Sequence, residues 1–177
     1  MNIIACDIDD CIIDMRSLWL SYCQSNWGYI KCPMTSYNLC DYYGEKAMEF
    51  WSQPDLYDTL EPIKEAKGVL DMLNSKGFEI GFCSYTKKGH FSSKCEFIKR
   101  NFPYYKFIMN TKEKSYVRAN FVLDDNPTHL VNQPEGVVRI LIETKGVLHE
   151  YDKSKVDFVV TEWSTVGNII SNFEAWI

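Results

Sequence analysis

The 177 residues are 46% hydrophobic and carry 24 acidic against 19 basic side chains, for a formal net charge of -5. That hydrophobic share excludes a disordered chain, and the length suits one domain with at most a small insertion. The acidic balance speaks against a broad basic face for nucleic acid or an anionic membrane, and no apolar run approaches the ~20 residues of a membrane span. In chain order, the first element is the stretch Asn2 to Cys11, an apolar run ending in Asp7, Asp9 and Asp10. Continuous small and β-branched residues predict a strand buried on both faces in a parallel sheet, whose carboxyl end is where a ligand sits. Crowded carboxylates repel unless a cation lies among them, so the cluster reads either as a magnesium site with a nucleophilic Asp or as an acidic loop after a strand.

Asp14 to Asn26 predicts an amphipathic helix with Asp14 as its cap, Met15, Leu18, Tyr22 and Cys23 on its face, and Gly28 at its end. No long element is expected from Tyr29 to Gly44, and a second helix is expected over about Glu45 to Ser52. Pro62 opens a helix, Ile63 to Ser75, with Ala66, Val69, Leu70 and Leu73 on one face, and the strand Phe78 to Cys83 stops at Ser84. A helix over Phe91 to Asn101, a strand over Lys106 to Met109, the basic Lys112-Glu113-Lys114, and the strand Asn120 to Leu123 follow. That last strand ends in Asp124-Asp125-Asn126-Pro127, a second acidic pair, with Pro127 placed to start a helix. Strands over Val137 to Ile142 and Phe158 to Val160, then a helix over Ser164 to Phe173, complete an alternation that argues for an α/β fold with a parallel sheet flanked by helices. Cys6, Cys11, Cys23, Cys32, Cys40, Cys83 and Cys95 form no CxxC pair and no secretory signal precedes the first strand, so reduced thiols in a cytoplasmic protein are expected.

The order Asp7-x-Asp9, Ser84, Lys114, Asp124-Asp125 resembles the four-motif signature of the haloacid dehalogenase superfamily of phosphotransferases. A response-regulator receiver uses similar residues, but its lysine comes last. Within the superfamily, Glu45 to Trp51, Leu60-Glu61-Pro62-Ile63, Phe82-Cys83-Ser84 and Thr111 to Ser115 before Phe121 to Pro127 are similar to the 5'(3')-deoxyribonucleotidase family. The likeness covers roughly residues 1 to 130. Asp10-Cys11 stands where the family usually has glycine and valine, Ser84 replaces threonine, and Tyr85-Thr86 replaces serine-proline.

The resemblance implies a Rossmann-like core from residues 1–14 and 61–177, with a small helical cap inserted at 15–60. It implies Asp7 as nucleophile and Asp9 as general acid and base, with Mg²⁺ held by Asp7, Asp9, Asp125 and Asp124. Ser84 and Lys114 would contact the phosphate, and Lys94 matches a phosphate-contacting lysine of the family by its spacing from Phe102, although an exposed helix lysine fits it equally. Phe50, Trp51, Tyr42 and Tyr43 are the insertion's candidates for stacking on a base, against the default that such aromatics form the insertion's own core. His90, His129 and His149 are isolated and receive no role. The expected partner is a small phosphorylated substrate, a nucleotide, with neither membrane nor nucleic acid; a homodimer is an admissible assembly. The leading expectation is a Mg²⁺-dependent phosphatase of deoxyribonucleoside monophosphates. Its rivals are a phosphatase of the same superfamily acting on a polynucleotide 3' end or a small metabolite, and a non-catalytic nucleotide-binding module.

Overall fold

A computed structural model of the chain describes residues 2–86, 89–144, 146–147 and 151–173. Six short apolar runs pair in parallel: β1 (Ile3–Cys6), β2 (Glu79–Ser84), β3 (Phe107–Asn110), β4 (Phe121–Asp124), β5 (Val138–Ile142) and β6 (Phe158–Val160), in the order β3-β2-β1-β4-β5-β6. Inner strands β1, β2, β4 and β5 are buried almost throughout, while edge strands β3 and β6 leave residues such as Met109 and Val159 exposed. That contrast follows from their positions, since only an inner strand is covered on both faces and both edges.

From β1 the chain steps outward to β2 and β3, then returns to the other side of β1 to lay down β4, β5 and β6. The carboxyl end of β1 is therefore the switch point of the sheet, the place where flanking connections diverge and leave a crevice. Cys6 is in register with Phe82 on one side and Leu123 on the other, which sets Asp7 level with the last residues of β2 and β4.

The helices are α1 (Met15–Trp27), α2 (Cys40–Tyr43), α3 (Lys64–Ser75), α4 (Phe91–Asn101) and α5 (Trp163–Phe173), with a 3-10 helix over Glu45–Ser52. Leu70 and Leu73 of α3, Phe97 and Ile98 of α4, and Val166 and Ile170 of α5 pack in one cluster with Ile4, Cys6, Ile80, Phe82 and Leu123. The opposite face, with Ala5, Cys83, Val122 and Leu141, is covered instead by Val117, Ala119, Leu130 and Val156 from the connections. Right-handed crossovers send the β1–β2 and β2–β3 helices to one face and the returning connections to the other. Among the described residues those returning connections carry only 3-10 turns, at Lys114–Tyr116, Pro127–His129 and Lys153–Lys155. No described helix is long and apolar enough to cross a membrane.

Several local expectations shift by a residue or change type. Asp14 caps α1 by accepting from the Ser17 amide at 3.1 Å, and Gly28 ends it at φ 84°. The buried stripe of α1 is Met15, Trp19 and Cys23, and Leu18 faces outward at 37% exposure. Trp19 wins the inner position because its ring packs with Phe50 and Trp51 and its Nε1 donates to the Ala47 carbonyl at 2.7 Å. The expected helix at Pro127 is one turn only, closed by the Asn126 side chain accepting from the Thr128 amide. Residues 45–52 wind as a 3-10 helix after Gly44 at φ 72°.

Gly81 pairs with Ala5 and Phe107, and the Phe107 ring lies over it so closely that a Cβ would run into the ring. Gly81→Ala should therefore lower stability by about 1–3 kcal/mol through overpacking. Chemical denaturation checks this, and the loss should shrink when Phe107→Leu is combined with it; additive losses would show that the ring is not the cause.

Candidate active site

Leaving β1, the chain closes a tight turn in which the Ile8 carbonyl accepts from the Ile12 and Ile13 amides at 3.0 and 3.1 Å. Asp10 sits in this turn at φ 54°, a conformation that favours glycine and that aspartate tolerates better than most residues. This is the position at which the resembled family usually has glycine, so the substitution keeps the turn. Asp10 Oδ1 accepts from the Arg16 amide at 2.6 Å, and burial pushes its carboxyl up to about 7. The Arg16 guanidinium in turn donates to the carbonyls of Tyr37 and Met34 at 3.1 and 2.9 Å, tying the 34–37 loop to α1.

Asp7, next to the end of β1, is 6% exposed and anchored by its amide, which donates to the Leu123 carbonyl at 2.9 Å. Lys114 enters from the turn after β3 and its Nζ donates to Asp7 Oδ1 at 2.7 Å and to Asp124 Oδ2. A lysine 1% exposed would ordinarily lose its proton to burial, but Asp124 and Asp7 hold it above its usual range. Asp124, the last residue of β4, also accepts from the Asn126 amide at 2.9 Å and lies 3.2 Å from His129 Nδ1. Burial works against the Asp124 charge, yet Lys114 and His129 outweigh it and keep this carboxyl below its usual range.

The neighbouring carboxylates behave differently. Burial pushes Asp7 up to about 6, with Lys114 pulling it back. Asp125 is raised well above the ordinary carboxylate range, by burial first and then by Asp124 and Asp7. Its Oδ2 is buried without a hydrogen-bond partner, and one oxygen each of Asp7, Asp124 and Asp125 lie within 4.8 Å of one another. An orphaned buried carboxylate oxygen beside two others is an all-oxygen donor set suited to a hard divalent cation such as Mg²⁺.

On the other side of the turn, Asp9 has both oxygens engaged. Lys94 of α4, 1% exposed, donates to Asp9 Oδ2 at 2.7 Å and to Ser84 Oγ at 2.8 Å, and the Tyr57 hydroxyl donates to Asp9 Oδ1 at 2.8 Å. The structure thus brings Asp7, Asp9, Lys94, Lys114, Ser84, Asp124 and Asp125 together at the ends of β1, β2 and β4. Lys94 is buried there, which removes the reading of it as an exposed helix lysine. Trp51 borders a cavity of about 160 Å³ that Asp9, Lys94, Tyr57, Tyr85 and Thr86 also line.

Phe50 is not brought to the site. It is 4% exposed and packed against Trp19, Tyr22 and Trp51, so it offers no face to a ligand: on the 3-10 helix, adjacent residues point to different sides. Tyr43 is likewise internal, 6% exposed with its hydroxyl donating to the Gly28 carbonyl at 3.1 Å, and the Tyr42 hydroxyl accepts from the Ser36 amide at 2.7 Å. His149 lies outside the described residues. His129 and His90, given no role from the sequence, stand against Asp124 and in the wall of the cavity beside Trp51. Tyr57 and Tyr37 carry no sequence signal of their own. Tyr57 is buried and holds Asp9, and Tyr37 hydrogen-bonds Asp10 and lies in the field of Asp125, Asp9 and Asp7.

A search of curated proteins finds no match to this chain. Among solved structures, a haloacid dehalogenase superfamily hydrolase from Ehrlichia chaffeensis is 12% identical, with a TM-score of 0.59 over 97% of this chain and 98% of that one. A haloacid dehalogenase-like hydrolase from Xanthomonas campestris is 11% identical, with a TM-score of 0.57 over 99% and 97%. CbbY from Rhodobacter sphaeroides, solved in complex with phosphate, is 11% identical, with a TM-score of 0.58 over 94% and 96%. At such identities the likeness concerns the fold. The family model described as "5' nucleotidase, deoxy (Pyrimidine), cytosolic type C protein" matches residues 1–175, and the chain therefore belongs to this family of haloacid dehalogenase phosphatases and is a phosphoric monoester hydrolase of the 5'-nucleotidase type.

Proposed function

We propose that this chain hydrolyses the phosphate of deoxyribonucleoside monophosphates, with Asp7 as nucleophile and Asp9 as acid and base. The observation that carries the reading is the division of labour around Asp7. Lys114 bridges Asp7 to Asp124, while Asp125 keeps an unpartnered buried oxygen and Asp9 sits across the turn under Lys94 and Tyr57.

Asp7 would hold the phosphoryl group as an aspartyl phosphate, a new Oδ–P bond forming as the bond from phosphorus to the leaving oxygen breaks. Asp9 gives its proton to that leaving alkoxide and later takes one from the hydrolytic water. Lys114 offsets charge on Asp7 and on the phosphoryl oxygens, and Ser84 with Lys94 offers donors to the same oxygens from the β2 side. Asp7, the Asp9 carbonyl and Asp125 would hold Mg²⁺, with Asp124 close behind. Bound there, the ion supplies charge neutralisation for a carboxylate meeting a phosphate dianion. Because Asp124 already accepts from Lys114 and Asn126, its work is to orient Lys114, which leaves Asp125 as the direct ligand.

Substrate choice falls to residues 15–60, which we read as a cap on the core formed by 1–14 and 61–177. Trp51 and Tyr57, with the small cavity between them and Lys94, favour a flat group attached to the phosphate. The pyrimidine deoxynucleotides in the family's description fit that chemistry.

Asp7→Asn should abolish turnover of deoxythymidine monophosphate while leaving the melting temperature near that of the unaltered protein, because the amide fills the same space and cannot carry the phosphoryl group. Turnover close to normal would remove Asp7 from the nucleophile role. Adding Mg²⁺ should raise the melting temperature, since a ligand of the native state alone stabilises it by mass action, by about 2.7 kcal/mol at one hundred times Kd. Asp125→Asn should erase most of that shift in a thermal melt with and without Mg²⁺; a full shift in this variant would place the ion elsewhere.

A further inference from the structure

Thr86 is 7% exposed, and its side-chain oxygen is buried with no hydrogen-bond partner. The backbone around that oxygen is well tied. The Thr86 amide donates to Asn110 Oδ1 at 2.9 Å and its carbonyl accepts from Asn110 Nδ2 at 3.4 Å, so both main-chain polar groups turn toward the end of β3. Thr86 lines the cavity that Trp51, Tyr57 and His90 also line, with both of its main-chain polar groups already bonded to Asn110. Two other polar groups of this wall are already engaged: the Tyr57 hydroxyl on Asp9, and Lys94 on Asp9 and Ser84. A buried hydroxyl left without a partner destabilises the free protein, and such groups call for an explanation, of which a ligand that completes the bond is one.

We propose that the Thr86 hydroxyl is a specificity group that hydrogen-bonds a polar edge atom of a planar heterocycle carried by the substrate's leaving group and seated against Trp51. The inference rests on the phosphatase reading above and names the part of the substrate that this cavity recognises. The phosphate is met from Ser84, Lys94 and Lys114, and Thr86 lies two residues beyond Ser84, where the chain has left β2 and borders Trp51 and Tyr57. A hydroxyl both donates and accepts, so a ring carbonyl or a ring N–H satisfies it. One fixed polar atom in a mainly apolar wall is how small pockets set orientation and reject ligands that lack the matching group.

The test compares Thr86→Val, which keeps the branched shape and removes the hydroxyl, with Thr86→Ser, which keeps the hydroxyl. Calorimetric titration in the Asp7→Asn background measures binding without turnover. The probes are deoxythymidine monophosphate, which has ring carbonyls and a ring N–H, and phenyl phosphate, whose ring has neither. Thr86→Val should weaken the nucleotide by about three- to tenfold, the worth of one neutral hydrogen bond, and change phenyl phosphate by less than twofold, with Thr86→Ser restoring most of the difference. The melting temperature of ligand-free Thr86→Val should equal or exceed that of its parent, because an unsatisfied group has been removed. A lower melting temperature with equal losses on both probes would show a hydroxyl bonded within the protein and overturn the proposal. Unchanged nucleotide binding, or no binding of either probe, would also overturn it. Turnover by the unaltered protein is a separate measurement: binding of the nucleotide without hydrolysis would sink the phosphatase reading and leave the Thr86 comparison to decide the recognition.

Discussion

Charge confined at the end of β1 is the constraint on which the rest of the molecule depends. Asp7, Asp9, Asp124 and Asp125 converge there, and two lysines of 1% exposure, Lys114 and Lys94, are the buried cations that face them. A lysine so buried keeps its charge only where carboxylates surround it, and carboxylates so crowded stay ionised only where cations divide them. Lys114 is shared by Asp7 and Asp124, so Asp124 still compensates its charge when Asp7 alone is neutralised. The partners come from far apart in the chain, Asp7 and Lys114 being 107 positions apart, so the network exists only once β1, β4 and the β3–β4 connection are in register.

The sheet is arranged to make that convergence cheap in structure. Three α-helices cover one face, the other is closed by 3-10 turns and extended chain, and one of those turns delivers Lys114. Glu113 caps this turn by accepting from the Ser115 amide and hydroxyl, which fixes the entry of Lys114 into the crevice. On the far side, the segment between the 3-10 helix and α3 is locked to α4 because Ser93 Oγ accepts from the Tyr57 amide at 3.0 Å and donates to Asp58 at 2.6 Å. That clamp aims the Tyr57 hydroxyl at Asp9. Trp19, Tyr22, Phe50 and Trp51 pack ring against ring within residues 15–60, continuous with the core under the sheet, and Trp51 also borders the cavity.

In the proposed reading, chemistry and selectivity separate in space. The residues proposed to handle phosphorus lie at the ends of β1, β2 and β4. Those proposed to meet the rest of the substrate come from residues 15–60 and from the loop after β2. Here that loop carries Tyr85-Thr86, and Tyr85 also lies under the Lys112 ammonium at 4.2 Å. Under that proposal, the departure from the family pattern at this loop sets this chain's own preference.

Much of this was legible in the amino-acid order. Apolar runs ending in Asp7, Ser84 and Asp124 identify inner parallel strands, because a strand covered on both faces has no polar side to display, and the order of the strand-end residues resembles the signature of a phosphotransferase superfamily. Helix limits at Asp14 and Gly28 were likewise local, set by capping and by glycine conformation. What local pattern does not contain is the partner of each side chain. Leu18 and Trp19 are equally apolar, as are Phe50 and Trp51, and only packing against other elements decided which faced inward and which bordered the site. Lys94 fits an exposed helix lysine and a phosphate-contacting one equally until the fold places Asp9 and Ser84 beside it. Tyr57, His129 and the unpartnered hydroxyl of Thr86 have no motif at all, since their significance lies in distances to residues between 5 and 48 positions away, or in the absence of any partner, and such relations arise only when the chain has closed on itself.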